Sequence, residues 1–157
     1  VKLVPILAGG GHERGLRPGT ENVPGIVGMG AAAETLLRFR PSEISRYNAL
    51  RSRFLSALPV GATSLLDEGV SVAPHVVAVA CSGKESDWIA LLLSRAGVMV
   101  STGSACKAGS RGTPLGAKAL GLDEARAKSI LRVSFGWSTS ESDVDACIKA
   151  LESSLRK

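Results

Sequence analysis

Strand-like and helix-like segments alternate after Pro59, which predicts a small α/β sandwich: a small sheet with helices on one face. Two further observations carry this reading. Residues 75–81 and 130–135 are rich in valine, leucine and isoleucine, as strands are. The stretches between and around them show helical spacing of apolar residues with capping signals at their ends. At 157 residues, 45% hydrophobic and 21% charged, the chain has globular composition and the length of one ordinary domain. Aromatics are only 4%, so the core must come from Ala, Val, Leu and Ile.

Taken in order, residues 1–7 read as a short strand, with Pro5 limiting it to an edge. A glycine-rich polar loop runs from Gly9 to Asn22. From Pro24, a good first-turn residue, a small-residue helix continues to about Phe39, and Pro41 is expected to break it. Ser42 can cap a second helix, with Ile44, Tyr47, Leu50, Phe54, Leu55 and Leu58 on one apolar face. Residues 63–66 and 75–81 follow as strands. Ser86 or Asp87 starts an apolar helix ending near Gly97. Residues 98–100 read as another strand, 101–112 as a loop of small polar residues, and Pro114 and Asp123 each open a short helix. After the strand at 130–135, Ser140-Glu141-Ser142-Asp143 resembles a capping box for a terminal helix bearing Val144, Ile148, Leu151 and Leu155.

The net charge of +5 permits a nucleic-acid partner, but the basic residues are scattered. Arg38, Arg40, Arg46, Arg51 and Arg53 sit among polar positions of one helical stretch, and no basic block is interleaved with aromatics. A solvated face is expected, with no nucleic acid. No apolar run reaches the ~18 residues of a membrane helix. Cys81, Cys106 and Cys147 are an odd number without metal-ligand spacing, which fits a reducing cytoplasm and no metal.

Chemistry points first to Cys106. It lies in Ser101-Thr102-Gly103-Ser104-Ala105-Cys106-Lys107, a stretch with no core for a thiol to fill, and the neighbouring Lys107 and Arg111 favour the thiolate. Cys81 and Cys147 fall in apolar elements and read as packing. Arg132 sits inside an apolar strand, where its guanidinium must reach solvent or meet an anion, and its planar fork suits a carboxylate. Thr20 belongs to a glycine-rich loop before a helix, an arrangement that suits an anion such as phosphate.

The stretches Gly9-Gly10-Gly11-His12-Glu13-Arg14-Gly15 to Gly19-Thr20-Glu21-Asn22, Pro74-His75-Val76, Ser101 to Cys106, and Ile130-Leu131-Arg132-Val133-Ser134-Phe135-Gly136 resemble, in that order, cysteine desulfurases of the class-V aminotransferase group. The long-loop type is the closer match. The resemblance implies the small C-terminal domain of a fold-type I pyridoxal 5'-phosphate enzyme, with residues 1–22 the tail of the large cofactor-binding domain and 23–157 the small domain. It implies that Cys106 is the nucleophile that takes sulfur from L-cysteine, leaving L-alanine and an enzyme persulfide for a sulfur-acceptor or scaffold protein, as in iron–sulfur cluster assembly. Arg132 would hold the substrate carboxylate. Thr20 would reach the cofactor phosphate of the other subunit, which implies a homodimer. The family's cofactor lysine follows a histidine, whereas His12 and His75 precede Glu13 and Val76. That lysine is expected upstream of Val1, and the isolated chain is expected to be inactive. Selenocysteine lyase, or a non-enzymatic sulfur-relay or docking domain, is the alternative. Departures from the family pattern are Lys107, Arg111-Gly112-Thr113-Pro114 and Trp137; they bear on the acceptor more than on the chemistry.

Overall fold

In the computed structural model, the described residues are 2–66, 69–102 and 115–156. They fall into two compact units, Val1–Pro41 and Ser42–Lys157.

In the first unit, a turn at Glu13–Gly15 is followed by the start of helix α1, which spans Val23–Ser56 in all. Glu13 (φ 50°), Arg14 (φ 59°) and Gly15 (φ 78°) are successive left-handed residues, of which only the glycine adopts that backbone without steric cost. Asn22 caps α1 by accepting from the Gly25 N–H at 3.2 Å. The strand expected at residues 1–7 is not formed among residues 2–7. A strand exists only as half of a ladder, and here Leu3, Val4 and Ile6 stand 66%, 76% and 98% exposed. Pro41 is the second correction, because it lies inside α1 rather than ending it. A proline removes one i→i−4 bond and crowds the preceding turn, yet the helix continues through it; the boundary between the two units falls directly after it.

The second unit holds a four-stranded antiparallel sheet in the order β1-β2-β4-β3, with β1 Ala62–Ser64, β2 Val76–Cys81, β3 Ser101–Thr102 and β4 Ile130–Ser134. Helices α2 Ser86–Arg95, α3 Leu115–Ala119, α4 Glu124–Lys128 and α5 Glu141–Leu155 join it. Period-two alternation divides the sheet. Val77, Val79, Cys81, Leu131, Val133 and Phe135 enter the core with Leu50 and Phe54 of α1, Ile89 and Leu93 of α2, and Val144, Cys147 and Leu151 of α5. The Phe54 and Phe135 rings meet edge to face at 6.2 Å. Of the apolar face expected for the second half of α1, Leu50 and Phe54 are buried while Ile44 remains 38% exposed.

The third correction concerns residues 98–100, which are not a strand. The Val98 N–H bonds back to the Leu93 carbonyl at 2.9 Å and the Gly97 N–H to Ser94 at 3.0 Å, with Gly97 at φ 80°. These are the two bonds that close a helix end on a left-handed residue, so the backbone there completes α2. The ladder begins instead at Ser101 and Thr102, inside the segment expected to be loop. Of the arginines expected on a solvated face of α1, Arg38, Arg40 and Arg53 are exposed, while Arg46, Arg51 and Arg53 also bond within the fold. Arg53 makes a forked contact with Asp145 (2.7 and 2.8 Å) and reaches Glu141, Arg51 donates to the Val76 carbonyl at 2.8 Å, and Arg38 lies over the Phe39 ring.

The capping box of α5 forms as its sequence predicts. The Asp143 N–H donates to Ser140 Oγ, and the Ser140 N–H donates to the Asp143 carboxylate at 2.8 Å. That backbone bond, with one from the Ser140 hydroxyl, holds the Asp143 pKa below its ordinary value of 3.8. A carboxylate whose pKa is depressed on folding stabilises above its unfolded pKa and loses that contribution as the pH falls through the folded value. Asp143→Asn is therefore expected to lower the urea midpoint of this chain near neutral pH and to approach the parent's midpoint near pH ~2. A mutational difference that stays constant across that range would show that the carboxylate charge is not what caps the helix.

Candidate functional site

Arg132 lies on β4, on the sheet face opposite the core. Its cross-strand partners are Ala78 on β2 and Ser101 on β3, so antiparallel pairing places all three side chains on that face. The rungs on either side are Val76 with Ser134 and Thr63, Ala80 with Ile130. Ala78 and Ser101 are small, which leaves the half-buried Arg132 side chain unobstructed by its lateral neighbours. Among the described residues, Arg132 makes no side-chain hydrogen bond or ion pair, unlike Arg46, Arg51 and Arg53. A guanidinium so placed is free to offer its planar fork to a carboxylate or another anion outside the sheet.

The strand that carries Arg132 is pinned at its far end. Arg46 on α1 donates to the carbonyls of Thr139 (2.6 Å), Gly136 (3.0 Å) and Trp137 (3.2 Å), and is itself held by Glu43 at 2.8 Å. The Phe135 N–H donates to the His75 carbonyl at 2.8 Å, extending the ladder beyond β4. Arg46 was legible in sequence only as one arginine among several on a helix; nothing there signals carbonyls 90 residues away.

Cys106, with Lys107 and Arg111, lies outside the described residues. The other two cysteines are packing residues, as expected. Cys81 is 0% and Cys147 8% exposed, and burial pushes each thiol pKa up to about 11. Neither is a ready thiolate.

Thr20 belongs to the first unit and is exposed in the loop between the left-handed turn and α1, next to Gly19 at φ 104°. The side chains of His12 and Arg14 are likewise exposed. A separate concavity of the second unit is lined by Thr63, Ala80, Lys84, Asp123, Arg126 and Ser129 among others. Its charges are of both signs and no candidate residue lies in it. No helix among the described residues is long and apolar enough to cross a membrane.

Comparison with known proteins bears on what this arrangement is for. The sequence is 35% identical, over its whole length, to a cysteine desulfurase of Gluconacetobacter diazotrophicus, of which it covers 40%. It is 38% identical, again over its whole length, to the cysteine desulfurase IscS of Anaeromyxobacter sp. (strain Fw109-5), of which it covers 39%. The fold matches the solved structure of a NifS-like protein with a TM-score of 0.81 and 32% identity, over 98% of this chain and 39% of the other. The chain thus spans about two fifths of the length of the relatives it matches. With the aminotransferase class-V family matching residues 8–147, the chain belongs to the class-V aminotransferases, and its relatives within them are cysteine desulfurases.

Proposed function

We propose that this chain is the C-terminal part of a cysteine desulfurase, in which residues 1–22 complete the large cofactor-binding domain and the rest forms the small domain. The single observation that carries the reading is the register of β3 against β4. Ser101, the partner of Arg132, stands five residues before Cys106, so the chain tethers the Cys106 backbone within about 18 Å of Ser101, on the strand beside Arg132. A substrate held at Arg132 is then within reach of a thiol attached to the neighbouring strand.

Arg132 would take the carboxylate of L-cysteine in a bidentate grip and so orient its sulfur. Thr20 fits a phosphate: its hydroxyl is exposed, and it follows a glycine whose left-handed backbone lets a ligand approach closely. We assign it to the phosphate of pyridoxal 5'-phosphate in the other subunit of a homodimer. When bound, that cofactor supplies the electron sink for breaking the carbon–sulfur bond. The Cys106 thiolate takes the sulfur: one Cβ–S bond breaks, one S–S bond forms and Cβ gains a proton. L-cysteine and a thiol become L-alanine and a persulfide, which passes to an acceptor or scaffold protein of the cytoplasm, as in iron–sulfur cluster assembly. The exposed apolar side chains of the first unit, among them Ile6, Ile26, Met29 and Leu36, support its belonging against a larger domain. The isolated chain, with no histidine–lysine pair, is expected to release no sulfide from cysteine.

The test is made on the full-length protein supplied with pyridoxal phosphate and L-cysteine, following alanine and sulfide. Arg132→Ala should weaken apparent cysteine affinity by about 1.5–3 kcal/mol with the cofactor spectrum intact. An unchanged affinity would remove Arg132 from the substrate site, and absence of turnover in the parent would overturn the desulfurase reading.

A further inference from the structure

We infer that Ser101 is a second substrate-binding residue, whose hydroxyl donates a hydrogen bond to the same carboxylate that Arg132 grips; this rests on the function proposed above. The geometry is that of one rung of the sheet. Ser101 and Arg132 are directly opposed on β3 and β4, which sets their Cβ atoms about 4.5–5.5 Å apart on one face. Ser134 shares that face, but it lies two residues along β4, opposite Val76, roughly 7 Å from Arg132. Ala78, on the other side of Arg132, has no polar group to offer. Of the residues of β2, β3 and β4 flanking Arg132, Ser101 is thus the hydroxyl best placed to act with it.

Its chemistry also leaves it available. Ser101 is exposed, and among the described residues its hydroxyl makes no hydrogen bond, in contrast to Ser129, Ser140 and Ser154, each bonded within its own turn. A carboxylate has about four lone-pair sites, and a bidentate guanidinium uses one on each oxygen. A third donor beside the fork meets an acceptor that Arg132 leaves open. A hydroxyl is neutral and short, so it adds direction without adding charge to the site.

The experiment uses the full-length protein and two inhibitors that carry no sulfur to transfer: L-alanine, and ethylamine, which is alanine without its carboxylate. Ser101→Ala should raise the KM for cysteine and the inhibition constant of alanine by about tenfold, with kcat and ethylamine inhibition little changed. Ser101→Thr, which keeps the hydroxyl on a strand-favouring side chain, should restore alanine inhibition. If Ser101→Ala leaves alanine inhibition unchanged while Arg132→Ala weakens it, this inference fails and the desulfurase reading stands. If Ser101→Ala weakens both inhibitors alike, the serine serves only the structure of the strand, and the inference is overturned as well. If Arg132→Ala changes neither, the carboxylate site itself is misplaced and Ser101 loses its role with it.

Discussion

In the full-length protein, Cys106→Ser is expected to abolish persulfide formation while pyridoxal phosphate and L-cysteine still bind. A hydroxyl at neutral pH is a far poorer nucleophile toward sulfur than a thiolate, so turnover should fall to background. The other two cysteines make the comparison sharp. With pKa values pushed up to about 11 by burial, Cys81 and Cys147 would be ionised in roughly one molecule in ten thousand at neutral pH. Neither can take over from Cys106 without exposing the core. Cys81→Ser and Cys147→Ser should therefore keep turnover and lose stability, because each buries a hydroxyl where a thiol packed. The measurement is mass spectrometry after incubation with cysteine, seeking one added sulfur and locating it by peptide. Sulfur carried on Cys81 or Cys147, or full activity without Cys106, would show that a different thiol is the nucleophile.

Phe54→Ala should give the largest loss of stability of any single truncation in this chain, about 3–5 kcal/mol. The ring is fully buried in the core of the second unit, edge-on to Phe135, among mostly aliphatic side chains. Its removal leaves a cavity in a close-packed core that includes Val77, Val79, Ile89 and Val133, whose β-branched rotamers are restricted, so the core cannot easily collapse. Val60→Ala provides the contrast. Val60 is fully exposed, and its truncation should change stability by less than about 0.5 kcal/mol. Urea unfolding of the three proteins, followed by far-ultraviolet circular dichroism, compares them. Equal midpoints for Phe54→Ala and the parent would mean that the second unit is not held together around this ring.

Much of the second unit was determined by its sequence alone, because the signals there are local. Alternating apolar residues define β2 and β4, Gly97 ends α2, and the reciprocal bonds of Ser140 and Asp143 start α5 where the four-residue pattern says they should. Burial of Cys81 and Cys147 follows from the apolar elements that contain them. The arginine within β4 is legible for the same reason: a charge in an apolar strand must find water or an anion.

What only the tertiary structure decided depends on partners distant in the chain. Residues 2–7 have strand-like composition but no ladder, since pairing is a property of two segments and no composition guarantees the second. Pro41 lacks one backbone donor, which weakens a helix locally, and whether the helix ends there is settled by the bonds on either side. Three arginines of one helix looked alike until the fold gave Arg46 the carbonyls after β4, Arg51 the end of β2 and Arg53 the carboxylates of α5. The neighbour of Arg132 could not be read from sequence either. A shift of β3 by one residue would turn Ser101 to the other face, and the register that prevents it comes from hydrogen bonds to Arg132 and Leu131, some thirty residues away.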